Sequence, residues 1–434
     1  MQHIIRSLRR FTVPGFALLV LALAPADATA TPSTPVLAPA SVVAGDTVVA
    51  SGTVTPALAG EQVRIEEQID GDWLQLGTVV TTDATGAWSA TLTPKRGGQV
   101  RATQLTGTAD SSAATALTVA PRILGGSIAR GPVYPFIGTT GTWRIAPATY
   151  PNGRVRIELS IDGRAAGFVR TRIVDGVVRA HLPARGVGRF RARLVLGQVS
   201  GYAAATAPVE TFVVRGRAVG PGSSRTWNRA LRTALRFRGF HVPGGTSYSS
   251  QLGDAVIAFH KAYGRARTTS FEAGDWTRLT RKAVAVRYGG AGMHLEVDKG
   301  RQILMQVTNG RPTFIIHVSS GATGNTPVGR HSILWKGNWV PSLYGALLYK
   351  SMAFQGAFAI HGYPSVPTTP ASHGCVRVPM WIAATLYAKT PVGTTVYVYE
   401  GPGSTRPSLG RDRRAAADVP ELTGVDVARW ADER

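Results

Sequence analysis

Cysteine is all but missing from this 434-residue chain: Cys375 is the only one, so no internal disulfide can form and any β-rich part is held by packing alone. Acidic residues are few, 25 against 48 Lys and Arg, a formal net charge of +23 that favours polyanionic surroundings. No run after the first thirty residues is long and apolar enough to span a bilayer. Compact basic runs are also lacking. Arginine greatly outnumbers lysine and is scattered over strand-like and loop-like stretches, unlike the dense arms that bind nucleic acid.

The N-terminus carries Arg6, Arg9 and Arg10, then the apolar run "FALLVLAL" over Phe16–Leu23, then the small residues Ala28-Thr29-Ala30. This order predicts a secretory signal peptide over residues 1–30, cleaved after Ala30. Pro14 and Pro25 interrupt the run and argue against a membrane anchor, so no transmembrane segment is expected after cleavage. Loss of three arginines and one aspartate takes the charge from +23 to +21 on the mature chain. Export with that charge points to a secreted, extracytoplasmic, wall-associated protein beside anionic cell-wall polymers, with no nucleic-acid partner.

Fold class follows from the patterning. Two segments, 31–120 and 121–216, alternate Val, Thr, Ala and Gly between turn residues, as β-sandwiches do. They repeat each other: Val63-Arg64-Ile65-Glu66 with Ile69-Asp70-Gly71 recurs 92 positions later as Val155-Arg156-Ile157-Glu158 with Ile161-Asp162-Gly163. Asp70-Gly71 and Asn309-Gly310 are hairpin signals. Both segments resemble bacterial immunoglobulin-like modules and carry no site chemistry. Over 217–290 the apolar positions shift to helical spacing: Trp227, Leu231, Ala234 and Leu235, then Leu252, Ala255, Val256 and Phe259, then Trp276 and Leu279. This three-helix unit resembles a peptidoglycan-binding module, with Gly244-Gly245 in place of its usual Asp-Gly loop. Alternation returns over 291–400 and ends in "TTVYVYE"; 401–434 is a polar tail without an apolar face, expected to be mobile. The expectation is a mainly β multidomain chain: two Ig-like β-sandwiches, a small three-helix domain and a mostly β last domain.

Cys375 sits in "IHGYPSVPTTPASHGCVRV", two residues after His373 and fourteen after His361. Its neighbours Ser372, His373, Gly374 and Arg377 are poor core material, which disfavours an inert buried thiol. His361, His373 and Cys375 are zinc-ligand types, but the nearest carboxylate is Glu400 and a fourth ligand is lacking. A nucleophile accounts for more: a thiol with an ordinary pKa near 8.5 needs a nearby imidazole and positive charge, and both are at hand. Gly374 permits a tight turn whose amides face an oxyanion.

"IHG" followed by "SHGCVRV", preceded by "TPVGRHSI" and by strands such as "GRQILMQV" and "FIIHVSSG", resembles the L,D-transpeptidase catalytic domain of the YkuD family over about residues 293–399. The resemblance implies Cys375 as nucleophile and His361 as general base and acid. It also implies that Ser372 and His373 shape and polarise the site, that the Gly374 and Cys375 backbone forms the oxyanion hole, and that Arg377 meets a substrate carboxylate. A lid is implied over Trp335–Met352, where Trp339, Tyr344 and Tyr349 either cover a peptide stem or are ordinary core. His294, His317 and His331 read as structural. The implied reaction removes the terminal D-Ala of a peptidoglycan tetrapeptide stem through a thioester and forms a 3→3 cross-link, with no metal or other cofactor. Alternatives are an L,D-carboxypeptidase, attachment of a protein to the wall through the same thioester, and a non-catalytic wall-binding scaffold.

Overall fold

A computed structural model describes residues 30–401; the expected signal peptide up to residue 29 and the expected C-terminal tail from residue 402 lie outside the described residues. The chain is mainly β and multidomain, in line with the alternation, and it divides into two compact units, residues 30–120 with Ser200–Ala203, and 121–199 with 204–401.

In the first unit two sheets enclose one core. Val48–Thr55 pairs with Val36–Ala38 and Ala87–Leu92, and opposite it Gln62–Ile69 pairs with Asp72–Gln75 and Gly98–Gln104. Alternation puts Val63 and Ile65 inside with Val48, Ala50, Trp88 and Val100. Asp70 (φ 53°) and Gly71 (φ 105°) close the two-residue hairpin that the sequence signals. Glu66 points away from that core yet is 3 % exposed, because Arg64, Arg101 and Thr103 all donate hydrogen bonds to its carboxylate. Those donors hold the carboxyl below its ordinary range against the opposing effect of burial, which is the largest single influence on it.

The second unit begins with an eight-stranded sheet in which Gly153–Ile161 lies between Arg164–Val174 and Gly188–Leu196. Its inward side chains Ile157, Leu159, Phe190 and Leu194 are buried, and Asp162-Gly163 turns at positive φ as Asp70-Gly71 does.

Three helices follow, Arg225–Phe237, Ser250–Ala262 and Asp275–Arg281. Ser249 caps the second by accepting the amide of Leu252. Their apolar faces form a core with Phe136 and with Ile303, Met305, Val307 and Ile315 of the next sheet. The helices therefore bury their apolar face partly against strands outside 217–290.

That sheet runs Arg311–His317, Ile303–Thr308, Met293–Asp298, Thr395–Tyr399, Gly329–Ser332. A second sheet orders Trp335–Pro341, Leu347–Gln355, Phe358–Tyr363 and Val376–Pro379, the last two parallel. Leu295, Val297, Ile360, Val376 and Val378 share a core with Ile382 and Leu386 of the helix Met380–Lys389. Because Ile360, Val376 and Val378 point into this core, the alternate residues of the two parallel strands face the other way, and the site lies on that side.

Candidate active site

The pairing of Phe358–Tyr363 with Val376–Pro379 puts His361 opposite Arg377 on one face. Continuing the register by one residue sets Cys375 beside Ala359, which makes the cysteine a diagonal neighbour of His361. Sequence positions fourteen apart thus converge through one parallel pairing.

His361 is 3 % exposed, and its Nδ1 lies 3.0 Å from the carbonyl of Gly362. A carbonyl only accepts, so Nδ1 carries the proton and Nε2 keeps a lone pair. Burial pulls the His361 pKa below its ordinary value, the Gly362 carbonyl opposes that, and the Arg377 charge adds to it. The imidazole is a neutral base at neutral pH.

Cys375 is partly buried, and its Sγ donates toward the Ala357 carbonyl at 3.7 Å. Burial raises the thiol pKa; the Ala359 amide and the Arg377 guanidinium favour the thiolate and moderate the rise. The resting pair is thus thiol and neutral imidazole, with proton transfer reserved for attack. Among the described residues no hydrogen bond joins Sγ to His361 or His373.

Ser372 is occupied by the turn itself. Its Oγ donates to the Cys375 carbonyl (2.5 Å) and accepts the Gly374 amide (3.0 Å). The Gly374 amide is therefore already used, which leaves the Cys375 amide as the member of the expected pair able to meet an oxyanion. Gly374 has φ +129°, and a Cβ there would come within 2.4 Å of the Phe358 ring, so conformation and space both require glycine.

A distant loop fixes the turn from behind. Thr326 Oγ1 donates to the Gly374 carbonyl (2.7 Å) and accepts the Gly321 amide (2.9 Å), while Asn325 Nδ2 donates to the His373 carbonyl (2.8 Å). Backbone bonds between Ser319 and Arg377, 2.9 and 3.1 Å, add to this. The helical segment also reaches the site's supports: Lys261 Nζ donates to the Val318 carbonyl (2.8 Å), and Arg267 donates to the Thr368 carbonyl.

His373 is exposed and stacks on Tyr344, ring centroids 4.1 Å apart at 18°. Tyr344 tips the hairpin Trp335–Gln355, where Trp339 is 55 % and Tyr344 66 % exposed, so these two aromatics are surface, whereas Tyr349 is partly buried and packs against the core. Arg377 lies with its guanidinium carbon 4.3 Å from the Tyr363 ring centroid, a cation–π contact. His294 (3.2 Å from Glu296), His331 (3.2 Å from the Pro327 carbonyl) and His317 (3.5 Å from Asp254) are not among these side chains. Tyr363, Asn325, Lys261 and Arg267 join the site or its supports without a sequence signal for these roles. Tyr363 lies inside the cysteine motif; the other three are far from it.

No curated protein matches the chain. Among solved structures it is similar to an L,D-transpeptidase from Xylanimonas cellulosilytica, 29% identical, covering 42% of this chain and 98% of that one at a TM-score of 0.40. An L,D-transpeptidase from Stackebrandtia nassauensis is 22% identical, covering 44% and 99% at 0.29. Mycobacterium tuberculosis L,D-transpeptidase 1 is 12% identical, covering 64% and 98% at 0.22. The family model for the YkuD L,D-transpeptidase catalytic domain matches residues 292–398, a span that contains His361, Ser372, His373, Cys375 and Arg377. Residues 292–398 are a YkuD L,D-transpeptidase catalytic domain.

Proposed function

We propose that the chain is a cysteine-dependent L,D-transpeptidase of peptidoglycan, with Cys375 as nucleophile and His361 as base and acid. The observation that carries this is the fixed tautomer of His361: Nδ1 is held by the Gly362 carbonyl, so Nε2 is the available base on the face that also bears Cys375 and Arg377. Substrate binding brings the thiol to Nε2, since catalytic hydrogen bonds often tighten only in the complex.

The Sγ–H proton passes to His361 Nε2 as sulfur attacks the carbonyl carbon of the third residue of a tetrapeptide stem. The Cys375 amide donates to the oxyanion. Collapse breaks the C–N bond, His361 returns the proton to the departing D-Ala amine, and a thioester remains on Cys375. A side-chain amine of a second stem then attacks, gives its proton to His361 and expels the thiolate, which is reprotonated, leaving a 3→3 cross-link. Arg377, braced on Tyr363, meets a stem carboxylate, and His373 with Tyr344 borders the peptide channel. No step needs a metal or cofactor. Ahead of the catalytic domain, the β modules act as spacers or wall contacts and the helical segment as a peptidoglycan-binding element, in a secreted wall-associated chain.

Residues 31–434 incubated with a disaccharide-tetrapeptide, beside a Cys375→Ala control, test the reading by product mass. A dimer lacking one D-Ala, absent with the control, is expected. Tripeptide alone would make water the acceptor and the protein an L,D-carboxypeptidase. Substrate untouched by both proteins would remove the catalytic assignment and favour a wall-binding scaffold.

A further inference from the structure

The eight-stranded sheet of the second unit carries a charge pattern that no part of the catalytic reading uses. Its strands Gly153–Ile161, Arg164–Val174 and Gly188–Leu196 together hold eight arginines and a single carboxylate, Glu158. The register decides where the arginines go. Arg154 stands opposite Arg172, and Arg156 opposite Arg170; Arg193 stands opposite Glu158 and Arg191 opposite Ser160. The residues between them, Val155, Ile157, Val169, Ala192 and Leu194, are buried, so all six arginines project from the outer face, and each is exposed.

Such a layout works against the fold. Like charges directly opposite on paired strands sit about 5 Å apart at Cβ and destabilise a sheet. Glu158 offsets part of this through Arg193 (2.8 Å) and Arg156 (3.0 Å). Arg154, Arg170 and Arg172 have no carboxylate in those strands to pair with. The acidic residues of the adjoining turns are Asp162, which accepts the Arg189 amide (2.9 Å), and Asp175. Neighbouring strands about 4.8 Å apart and alternate residues about 6.8 Å apart turn these side chains into a grid of guanidinium forks, a geometry suited to successive phosphates.

We infer that this arginine-lined sheet face is a docking surface for a linear phosphodiester polyanion of the cell envelope. The inference rests on the extracytoplasmic reading of the chain. Its occupant is a non-nucleic polymer for two reasons: the N-terminus reads as an export signal, and the face offers no stacking platform for bases. Its one aromatic, Phe168, already lies under Arg170, whose guanidinium carbon is 4.7 Å from the ring centroid. Docking there holds the catalytic domain at the wall by charge while leaving Cys375 unengaged.

The test is binding of residues 31–434 to a labelled synthetic oligo(glycerol phosphate) across a salt series, using two variants of equal net charge. One is Arg154→Gln/Arg156→Gln/Arg170→Gln/Arg172→Gln; the other neutralises the exposed Arg225, Arg229, Arg311 and Arg330, which lie off this face. The face variant is expected to lose on the order of tenfold or more in affinity and to flatten the salt dependence by about 3 in log–log slope, with the control within about twofold of wild type. Equal losses in the two variants would reduce the effect to net charge and overturn the assignment, as would a wild type that does not bind. Tighter binding of a DNA duplex than of the oligo(glycerol phosphate) would overturn the choice of polymer. Thermal melting checks that the face variant is folded, and Arg156→Gln/Arg170→Gln, expected to lose about half as much slope, serves if it is not. Cys375→Ala should bind as wild type does, so loss of turnover with intact binding bears on the catalytic reading alone.

Discussion

His361 and Arg377 occupy paired positions on two parallel strands, and both lie on the face away from the apolar core. The arginine therefore acts on the base and on the thiol together: its charge lowers the pKa of His361 and of Cys375, though burial is the larger influence on each.

The expected pH dependence follows. kcat/KM needs neutral His361, whose pKa is depressed, so the acid limb should lie below the ordinary imidazole value of about 6.5. Arg377→Gln removes a charge that lowers both pKa values, so both limbs should move to higher pH, with a rise in KM if the guanidinium meets a carboxylate. A full kcat/KM profile for each protein checks this; an acid limb that does not move separates Arg377 from the base.

Thr326→Val tests the support behind the turn. The variant keeps the shape but removes the donor to the buried Gly374 carbonyl and the acceptor of the Gly321 amide. Stability should fall by about 1–3 kcal/mol. Turnover should fall by about 10²-fold, since small displacements of a nucleophile cost that much. Denaturant unfolding and steady-state kinetics give the two numbers, and wild-type kinetics would show that the loop only stabilises.

The turn itself was legible because Gly374 and Cys375 sit inside a short motif whose chemistry depends on local backbone. The hairpins at Asp70-Gly71 and Asn309-Gly310 were legible for the same reason: two residues at positive φ decide a turn. Long-range partners were not. Nothing in Asn325 or Arg267 announces that it will meet a carbonyl 48 or 101 residues away. The resemblance implies that Ser372 polarises the site, but its hydroxyl is spent on closing the turn, a fact that only backbone geometry reveals. The helical periodicity placed all three helices, yet it gave no sign that their apolar faces would finish against Ile303, Met305 and Ile315.

Tyr344→Ala separates substrate contact from folding. Its ring is 66 % exposed and touches His373 at the hairpin tip, so stability should change by less than about 0.5 kcal/mol. KM for a tetrapeptide donor should rise several-fold with kcat less affected. Steady-state kinetics and melting together decide it: a large fall in melting temperature would make the stack structural.

Lys261 supplies the last prediction. Its ammonium is 2 % exposed, donates to the Val318 carbonyl, and is surrounded by Asp254, His317 and Arg267. Burial, helped by the Arg267 charge and opposed by Asp254, pulls its pKa from 10.5 to about 7. Below about pH 7 the folded and unfolded chains both hold the proton, so Lys261 contributes no slope there. Between about 7 and 10.5 the unfolded chain holds more protons, so stability rises with pH across that window. His317, itself buried and depressed below its ordinary value, stays neutral throughout the window. Lys261→Met lacks this titration, and wild type should therefore gain on it by up to a few kcal/mol as pH rises from 7 to 10. Unfolding free energies of the two proteins at half-unit intervals measure the difference. Parallel curves would mean that Lys261 keeps an ordinary pKa, reached by water that the packing of Ser250–Ala262 against Arg311–His317 does not exclude.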